Sequence, residues 1–192
     1  YFYAGALKNS AHLLPLPFHM YKVLNLCSTQ NSDRFSNTHE AVFIANLIVT
    51  MLTLSNLGTI NGFVRVGIIT PYNNQRNALN NMLREKTANI PENLRKKLLI
   101  EVNTVDSFQG QERDVIIMST VRTQGIGFLN NRQRLCVALT RAKHSLFIVG
   151  NFRTFERDDM WKALLADARS RGVLVDVNHN APPIALKTHI VK

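Results

Sequence analysis

The sequence predicts an α/β fold in which a parallel β-sheet is covered by helices on both faces. Apolar, strand-like runs alternate along the chain with helical segments of about ten to eighteen residues, which is typical of parallel sheets. Residues 64–70 form a β-branched run of the kind expected of a strand buried on both faces. The 192 residues, 45% hydrophobic and 19% charged, fit one globular domain with a substantial core.

In the first half of the chain, apolar spacing and cap residues predict two strands and two helices. The strands are predicted at residues 22–28 and 64–70, and the helices at residues 37–54 and 73–86. Asn37 is the expected N-cap of the first helix, with Glu40 three positions later, as in a capping box. Pro71 stops the second strand.

In the second half, four strands and two helices are predicted on the same grounds. The strands are expected at residues 98–105, 114–121, 145–151 and 173–177, and the helices at residues 132–143 and 158–172. Gly150 ends one strand, Asp158 caps the last of these helices, and Gly172 closes it.

The ends of the chain carry few signals. Residues 178–192 have two prolines and little pattern, so we expect a loosely held tail or linker after a domain spanning residues 1–177. No run approaches the roughly 20 apolar residues of a membrane span, so no membrane partner is expected. The chain starts at Tyr1 without a signal peptide pattern, and we interpret it as a piece of a longer intracellular protein, nuclear or cytoplasmic.

The two cysteines indicate neither a disulfide framework nor a metal site. Cys27 and Cys136 lie far apart, which suits a reducing compartment, and no Cys or His spacing predicts metal ligation.

The net charge of +10 is the strongest compositional indication of a partner. It favours a polyanion, most simply nucleic acid, because Lys and Arg neutralise phosphates. A merely solvated basic surface is the alternative, since the positive residues are spread along the chain.

In parallel sheets, ligands bind outside the carboxyl ends of the strands. We therefore expect the site among the polar residues that follow the predicted strands, namely residues 70–72, 104–110, 120–122 and 150–151.

The segment “TVDSFQGQERDVII” (104–117) has room for one helical turn between two strands. Asp106 or Ser107 would cap this turn and Gly110 would end it, which would offer backbone N–H groups to a phosphate. Glu112 and Asp114 beside it would suit a ribose hydroxyl or a metal-bound water. An ordinary connection with solvated charges explains the spacing equally well.

“VALTRAK” (137–143) places an arginine near the end of a predicted helix. Arg134, Ala138 and Arg141 follow i, i+4, i+7 spacing, so both guanidinium groups would share one face and reach phosphate oxygens. The alternative for Arg141 is a solvated charge at the negative end of the helix dipole.

No phosphate cradle accompanies these arginines. The chain contains neither G-x-x-x-x-G-K-[ST] nor G-x-G-x-x-G, so it cannot hold a triphosphate with Mg²⁺ in the P-loop manner. The sequence therefore predicts half of a nucleotide site.

Four segments carry a resemblance to a known family: “VGIITPYNNQRNAL”, “NTVDSFQGQERDVIIMSTVR”, “GIGFLNNRQRLCVALTRAKHSLFIVGN” and “WKALLADARSRGVLV”. They closely resemble the second RecA-like domain of superfamily 1B helicases, and the nearest group is that of senataxin and the nonsense-mediated-decay helicase. The likeness covers nearly the whole chain, to about Val177. It implies a RecA-like fold of the P-loop NTPase class that lacks the P-loop itself.

The resemblance implies a nucleotide site shared between two domains. ATP and Mg²⁺ would be held mainly by a first RecA-like domain of the same polypeptide, which is not part of this sequence. Arg141 matches the motif VI arginine that contacts the γ-phosphate, and it is the expected catalytic residue. Glu112 matches an acidic position on the ribose side, and Gln109 and Gly110 match the motif V turn that couples nucleotide to nucleic acid.

The resemblance also implies contacts with single-stranded RNA or DNA, through the backbone and without sequence preference. The matching positions are Thr70, Pro71, Tyr72 and Gln75 in the motif IV region, Thr104, Asp106 and Ser107 at the start of motif V, and Arg122 after the following strand.

The leading hypothesis is therefore the C-terminal motor domain of an ATP-dependent RNA or DNA helicase. The alternative is a non-catalytic scaffold that binds nucleic acid and derives from a helicase, and a nuclease–helicase fusion is a third possibility. On the leading hypothesis, the isolated chain has no ATPase activity and binds strands weakly and in a salt-sensitive manner.

Overall fold

The computed structural model describes residues 16–54 and 62–192, and within them six strands form one sheet. The strands are Tyr21–Leu26 (β1), Val64–Thr70 (β2), Leu98–Thr104 (β3), Arg113–Ser119 (β4), Ala142–Gly150 (β5) and Leu174–Val177 (β6). Their order across the sheet is β3-β2-β4-β5-β1-β6, and every neighbouring pair is parallel. The predicted α/β fold is confirmed, and it is consistent with a RecA-like domain.

The helices of the described residues are Thr38–Thr53 (α1), Asn73–Thr87 (α2), Glu92–Arg95 (α3), Arg132–Leu139 (α4), Asp159–Ser170 (α5) and Pro183–Ile190 (α6). Asn37 caps α1, because its side chain accepts the N–H of Glu40 at 3.1 Å. Asp158 caps α5 by accepting two N–H groups, each at 3.1 Å. Both helix starts predicted from the sequence are confirmed.

Alternate residues of the central strands belong to two separate hydrophobic cores. In β4, Val115 and Ile117 pack with α1, α2 and α6, whereas Ile116 and Met118 pack with α4 and α5. All four side chains are fully buried. Because both faces of the sheet are covered, the strand needs apolar residues at successive positions, which explains its unbroken apolar run.

The helix predicted at residues 132–143 is shorter than expected, because α4 ends at Leu139. Thr140 closes the last turn, and Ala142 already pairs with Arg113 of β4. Alanine and lysine at positions 142 and 143 favour a helix by propensity, but pairing with β4 places them in β5. Arg141 therefore lies in the connection between α4 and β5.

The expected loose tail at residues 178–192 is instead part of the fold. Helix α6 packs against α1 with Leu186 and Ile190 fully buried, and the hydroxyl of Thr50 in α1 donates to the carbonyl of Pro183 at 2.8 Å. The boundary predicted after residue 177 is wrong. The buried face of α6 is only two residues long, which is too short to give a helical pattern in the sequence.

Replacing Leu186 with Ala is expected to destabilise the fold by about 2–5 kcal/mol, since it leaves a cavity between α6 and α1. Ile184→Ala is the matched control on the same helix, where the side chain is 81% exposed, and it is expected to change stability by less than about 0.5 kcal/mol. Urea unfolding at equilibrium measures both. Equal, small effects for the two variants would show that α6 does not contribute to the core.

Candidate functional site

The residues expected at the site lie at two opposite ends of the sheet. Thr70 and Thr104 are register partners at the carboxyl ends of β2 and β3, which we call the carboxyl edge. Arg113 starts β4, and its N–H donates to the carbonyl of Arg141 at 3.0 Å, at the amino edge. The expectation of a single site at the carboxyl edge is therefore wrong for Arg141 and Glu112, which precede β5 and β4 directly.

Arg141 is half-buried at the amino edge, and contacts within its own segment orient its guanidinium group. Nε donates to the carbonyl of Val137 at 3.0 Å, and Nη2 donates to the hydroxyl of Thr140 at 2.9 Å. No carboxylate among residues 16–54 and 62–192 pairs with it. The remaining N–H groups of the fork are therefore available to an anion from outside the domain.

Glu112 lies beside Arg141 and is exposed to solvent. Its carboxylate forms an ion pair with Nζ of Lys143 at 3.7 Å, and both side chains are about half exposed. Such a pair contributes little to stability, so the carboxylate can exchange this partner for another at small cost.

Arg113 is a residue of this edge that the sequence patterns did not single out. Its guanidinium group contacts the carboxylate of Glu101 and the amide oxygen of Gln111, and it stacks on the ring of Phe108 at 5.3 Å. These contacts tie residues 105–112 to β3, which no local spacing could reveal.

Residues 105–112 run from the carboxyl edge back to the amino edge. Phe108 anchors this connection, because its ring packs on Gly67 of β2, where an added Cβ would lie 2.8 Å from the ring. Gln109 and Gly110 follow in exposed positions, and Gly110 has a φ of +76°, which favours glycine. The two residues of the predicted motif V turn thus lie between the two edges.

The short helical turn predicted in this segment exists, but its capping differs from the prediction. Asp106–Phe108 is a 3₁₀ turn without a side-chain cap. The hydroxyl of Ser107 lies 3.0 Å from that of Thr104, and Asp106 pairs with Nε of Arg134 at 3.3 Å. Asp106 and Ser107 are both exposed at the carboxyl edge.

Arg134 and Arg141 do not share a helix face. Arg134 lies in the first turn of α4, where its guanidinium group also packs on the ring of Phe128 at 3.8 Å. Arg141 lies beyond the other end of α4, seven residues further along the chain and about 10 Å away along the helix axis. The shared helix face predicted for the two arginines is therefore wrong.

Three of the expected motif IV residues, Thr70, Pro71 and Tyr72, lie at the carboxyl edge and differ in how far they are buried. Thr70 and Pro71 are buried, and the hydroxyl of Thr70 has no hydrogen-bond partner among the described residues. Tyr72 is half-buried, and its ring contacts those of Phe35 and Phe128 edge-on at 5.2 and 6.3 Å. Among Thr70, Pro71 and Tyr72, only Tyr72 presents side-chain surface to the solvent.

Gln75, which we expected to face nucleic acid, is fully buried. Its amide oxygen accepts the N–H of Asn37 at 2.8 Å, and its amide nitrogen donates to the carbonyl of Asn37 at 3.2 Å and to the hydroxyl of Ser119 at 3.1 Å. Three inward hydrogen bonds leave little capacity for a ligand. Gln75 instead joins α2 to α1 and β4.

Glu40 is also fully buried, and it does not complete a capping box as predicted. The N–H of Asn37, which a capping box would give to Glu40, donates to Gln75 instead. The carboxyl group of Glu40 accepts the hydroxyl of Ser119 at 2.6 Å and the N–H of Val121 at 2.9 and 3.1 Å. Burial raises the pKa of Glu40 to about 7.

Arg122 is half-buried where the chain leaves β4 at the carboxyl edge. Nη2 donates to the carbonyl of Gln124 at 2.9 Å, while Nε has no partner among the described residues. The guanidinium group is thus partly oriented, and its Nε is buried without a partner.

Residues 16–54 and 62–192 contain no group of three or more His, Cys, Asp or Glu side chains that could hold a metal ion. Within the same ranges, no helix is long and apolar enough to cross a bilayer.

Comparison with known proteins identifies the family. A family model described as “AAA domain” matches residues 1–153, most of the chain. The chain belongs to this family, and its relatives place it among the superfamily 1B helicases.

Three relatives illustrate the likeness. Regulator of nonsense transcripts 1 of Dictyostelium discoideum is 40% identical over 165 residues, 83% of this chain and 12% of the relative. Helicase sen1 of Schizosaccharomyces pombe is 36% identical over 80% of this chain and 9% of its own length. The ATP-dependent helicase upf1 of the same yeast is 35% identical over 77% of this chain and 15% of its own length. The chain thus corresponds to a small part of each relative.

The raised pKa of Glu40 predicts a specific pH dependence of stability. Because the pKa of Glu40 is about 7 in the folded state and 4.5 for an ordinary solvent-exposed glutamate, protonation favours folding, and this contribution is full below pH 4.5 and lost as the pH rises through 7. The free energy of unfolding is expected to fall by about 3 kcal/mol over this pH range. Glu40→Gln, which stays neutral, is expected not to show it.

Urea unfolding of both proteins between pH 5 and 8 measures this effect as the difference between their free energies of unfolding. The difference is needed because other groups, among them His39 and His189, whose pKa values burial lowers, also make stability depend on pH in both proteins. A difference that does not change with pH would contradict the raised pKa.

Proposed function

We propose that this chain is the second motor domain of an ATP-dependent RNA or DNA helicase. In this proposal Arg141 acts on ATP that a first RecA-like domain of the same polypeptide holds together with Mg²⁺, and the carboxyl edge grips a single strand. The observation that carries the proposal is the guanidinium group of Arg141, oriented at the amino edge without a carboxylate partner in the described residues. The protein would work inside the cell, in the nucleus or the cytoplasm.

The amino edge has the chemistry of a partial nucleotide site. Bound ATP would supply a terminal phosphoryl group for transfer to water. Arg141 would offer a fork of N–H donors to the γ-phosphate oxygens, where negative charge develops during the transfer. Glu112 would accept hydrogen bonds from the ribose, since its pair with Lys143 is exposed and weak.

The same edge lacks what a complete nucleotide site needs. The chain has no P-loop sequence, so most phosphate contacts and the metal ligands would come from the first domain. For this reason we propose that the 192-residue chain alone does not hydrolyse ATP, although it contributes the catalytic arginine to the assembled motor.

The carboxyl edge has the chemistry of a strand-binding surface. Tyr72 offers part of an aromatic ring, Thr104 and Ser107 offer hydroxyl groups, and Arg122 offers a half-buried guanidinium group. Hydroxyl and guanidinium groups bind phosphate and sugar oxygens without reading bases. The net charge of +10 further favours a polyanion.

A coupling route is proposed through residues 105–112. This connection begins beside Thr104 at the strand-binding surface and ends at Glu112 beside Arg141. Phe108 holds it against the sheet at Gly67. Movement of the connection at the carboxyl edge would therefore displace Gln109, Gly110 and Glu112. This agrees with the coupling role expected for the motif V turn.

Replacing Arg141 with Ala is expected to lower ATP turnover by at least about 10³-fold and to leave strand affinity nearly unchanged, because the arginine acts at the amino edge. The variant belongs in the polypeptide that carries both motor domains. Phosphate release with saturating oligonucleotide gives turnover, and fluorescence anisotropy gives affinity.

Arg84→Ala is the control for this experiment, because it removes an equal charge from an exposed position on α2. Arg141→Lys keeps the charge without the planar fork and is expected to recover little turnover. Wild-type turnover in Arg141→Ala would refute the catalytic role. A wild-type protein that binds strands and ATP without hydrolysis would favour the scaffold alternative.

Replacing Arg122 with Gln is expected to weaken single-strand binding and to flatten its salt dependence. If Arg122 neutralises one phosphate, the slope of log K against log[salt] should fall by about 0.7. Anisotropy titrations with labelled oligo(U) and oligo(dT) between 50 and roughly 300 mM KCl measure the slope. An unchanged slope, as expected for the Arg84→Ala control, would place Arg122 outside the interface.

A further inference from the structure

Val121 has a strained backbone at the point where the chain leaves β4. Its φ is +70°, and the N–H of Arg122 donates to the carbonyl of Thr120 at 2.8 Å. A hydrogen bond between residues two apart around a positive φ defines a classic γ-turn, which is rare and strained. The left-handed region costs an L-residue about 1–2 kcal/mol, and a β-branched side chain makes this conformation exceptional.

Two side chains at the start of α1, from its N-cap and its first turn, hold this strained residue. Both carboxyl oxygens of Glu40 accept the N–H of Val121, at 2.9 and 3.1 Å. The amide nitrogen of Asn37 donates to the carbonyl of Val121 at 3.1 Å. Both polar groups of the Val121 backbone are thus bound by neighbouring positions of one helix end.

The holding groups are themselves fixed from two other elements. Ser119 of β4 donates its hydroxyl to Glu40 at 2.6 Å, and Gln75 of α2 donates to Ser119 at 3.1 Å. Gln75 also binds the N–H and the carbonyl of Asn37. All these side chains are fully buried, so the closed network offers Val121 little freedom to relax.

The turn determines where the following residues go. Arg122 comes directly after it, and the N–H of Thr123 donates to the side chain of Gln30 at 2.9 Å. Further on, the N–H of Phe128 donates to the hydroxyl of Tyr72 at 3.4 Å. Residues 122–128 therefore enter the carboxyl edge from a direction set at Val121.

We infer that Glu40 is a positioning residue, which with Asn37 holds Val121 in the γ-turn and thereby aims Arg122 at the strand-binding surface. The inference rests on the proposed function only where strand binding is used to test it. It accounts for a buried carboxyl group that the proposed nucleotide and strand contacts do not use. If the carboxyl group of Glu40 only stabilised the core, it would not require a strained backbone at position 121.

The inference predicts that a glycine at position 121 makes Glu40 dispensable. Without the carboxyl group of Glu40, Val121 is expected to keep the left-handed conformation in only about a tenth of the molecules. Glycine at position 121 populates the left-handed and right-handed regions about equally. Because apparent affinity scales with the competent fraction, Glu40→Ala should raise the strand Kd about tenfold with Val121 and about twofold with Val121→Gly.

Anisotropy with labelled oligo(U), in the polypeptide that contains this chain, measures the four Kd values of this double-mutant cycle. Asn37→Ser is a milder second variant for use if Glu40→Ala does not fold, since serine still caps α1 but cannot donate an amide to Val121. It should weaken binding several-fold with Val121 and little with Val121→Gly. Glu85→Ala, at an exposed position on α2, is the charge-matched control and should leave Kd unchanged.

Equal losses of affinity in the Val121 and Val121→Gly backgrounds would overturn the inference, because a merely structural role is not rescued by glycine. Hydrogen exchange of the Val121 amide, measured by NMR, provides a readout without nucleic acid. Glu40→Ala should accelerate this exchange at least about tenfold. Faster exchange in a protein that binds no strand would support the positioning role and refute the proposed function, and unchanged exchange would refute the positioning role.

Discussion

Parallel pairing of all neighbouring strands is the constraint on which the arrangement of this domain depends. A parallel sheet requires each connection to return from the carboxyl edge to the amino edge before the next strand begins. Helix α4 makes such a return, and Arg141 follows its end. Residues 105–112 make another, and Glu112 ends it. Arg141 and Glu112, which the family resemblance assigns to one nucleotide, thus lie together at the amino edge, opposite to Tyr72.

The separation of the two edges gives the proposed motor its physical organisation. Arg141 and Arg122 lie at opposite edges of a densely packed sheet, and such a core does not deform continuously. Communication between them therefore needs a segment that touches both edges. Residues 105–112 are one described connection that touches both edges and carries candidate residues, and Phe108 on Gly67 fixes its position.

Residue chemistry alone selects candidates for the site, but it does not show which of them are buried. Arg141 stood out because a chain without a P-loop still carries an arginine suited to phosphate. The family resemblance assigns Gln75 to the strand-binding surface, yet the packing of α1 on α2 buries it. Glu40 resembled an ordinary capping-box residue. Its true partner, Val121, lies far along the chain and is brought near only by β4.

The sequence by itself determined the strands, the main helix starts and the α/β class, because these follow from apolar periodicity and cap chemistry within a few residues. Tertiary structure alone decided where α4 ends, since the pairing of Ala142 with Arg113 outweighs helix propensity. It also decided that α6 belongs to the core, through Leu186 and Ile190 against α1. Each of these outcomes depends on contacts between residues distant in sequence, whose energies exceed the local preferences that a linear pattern records.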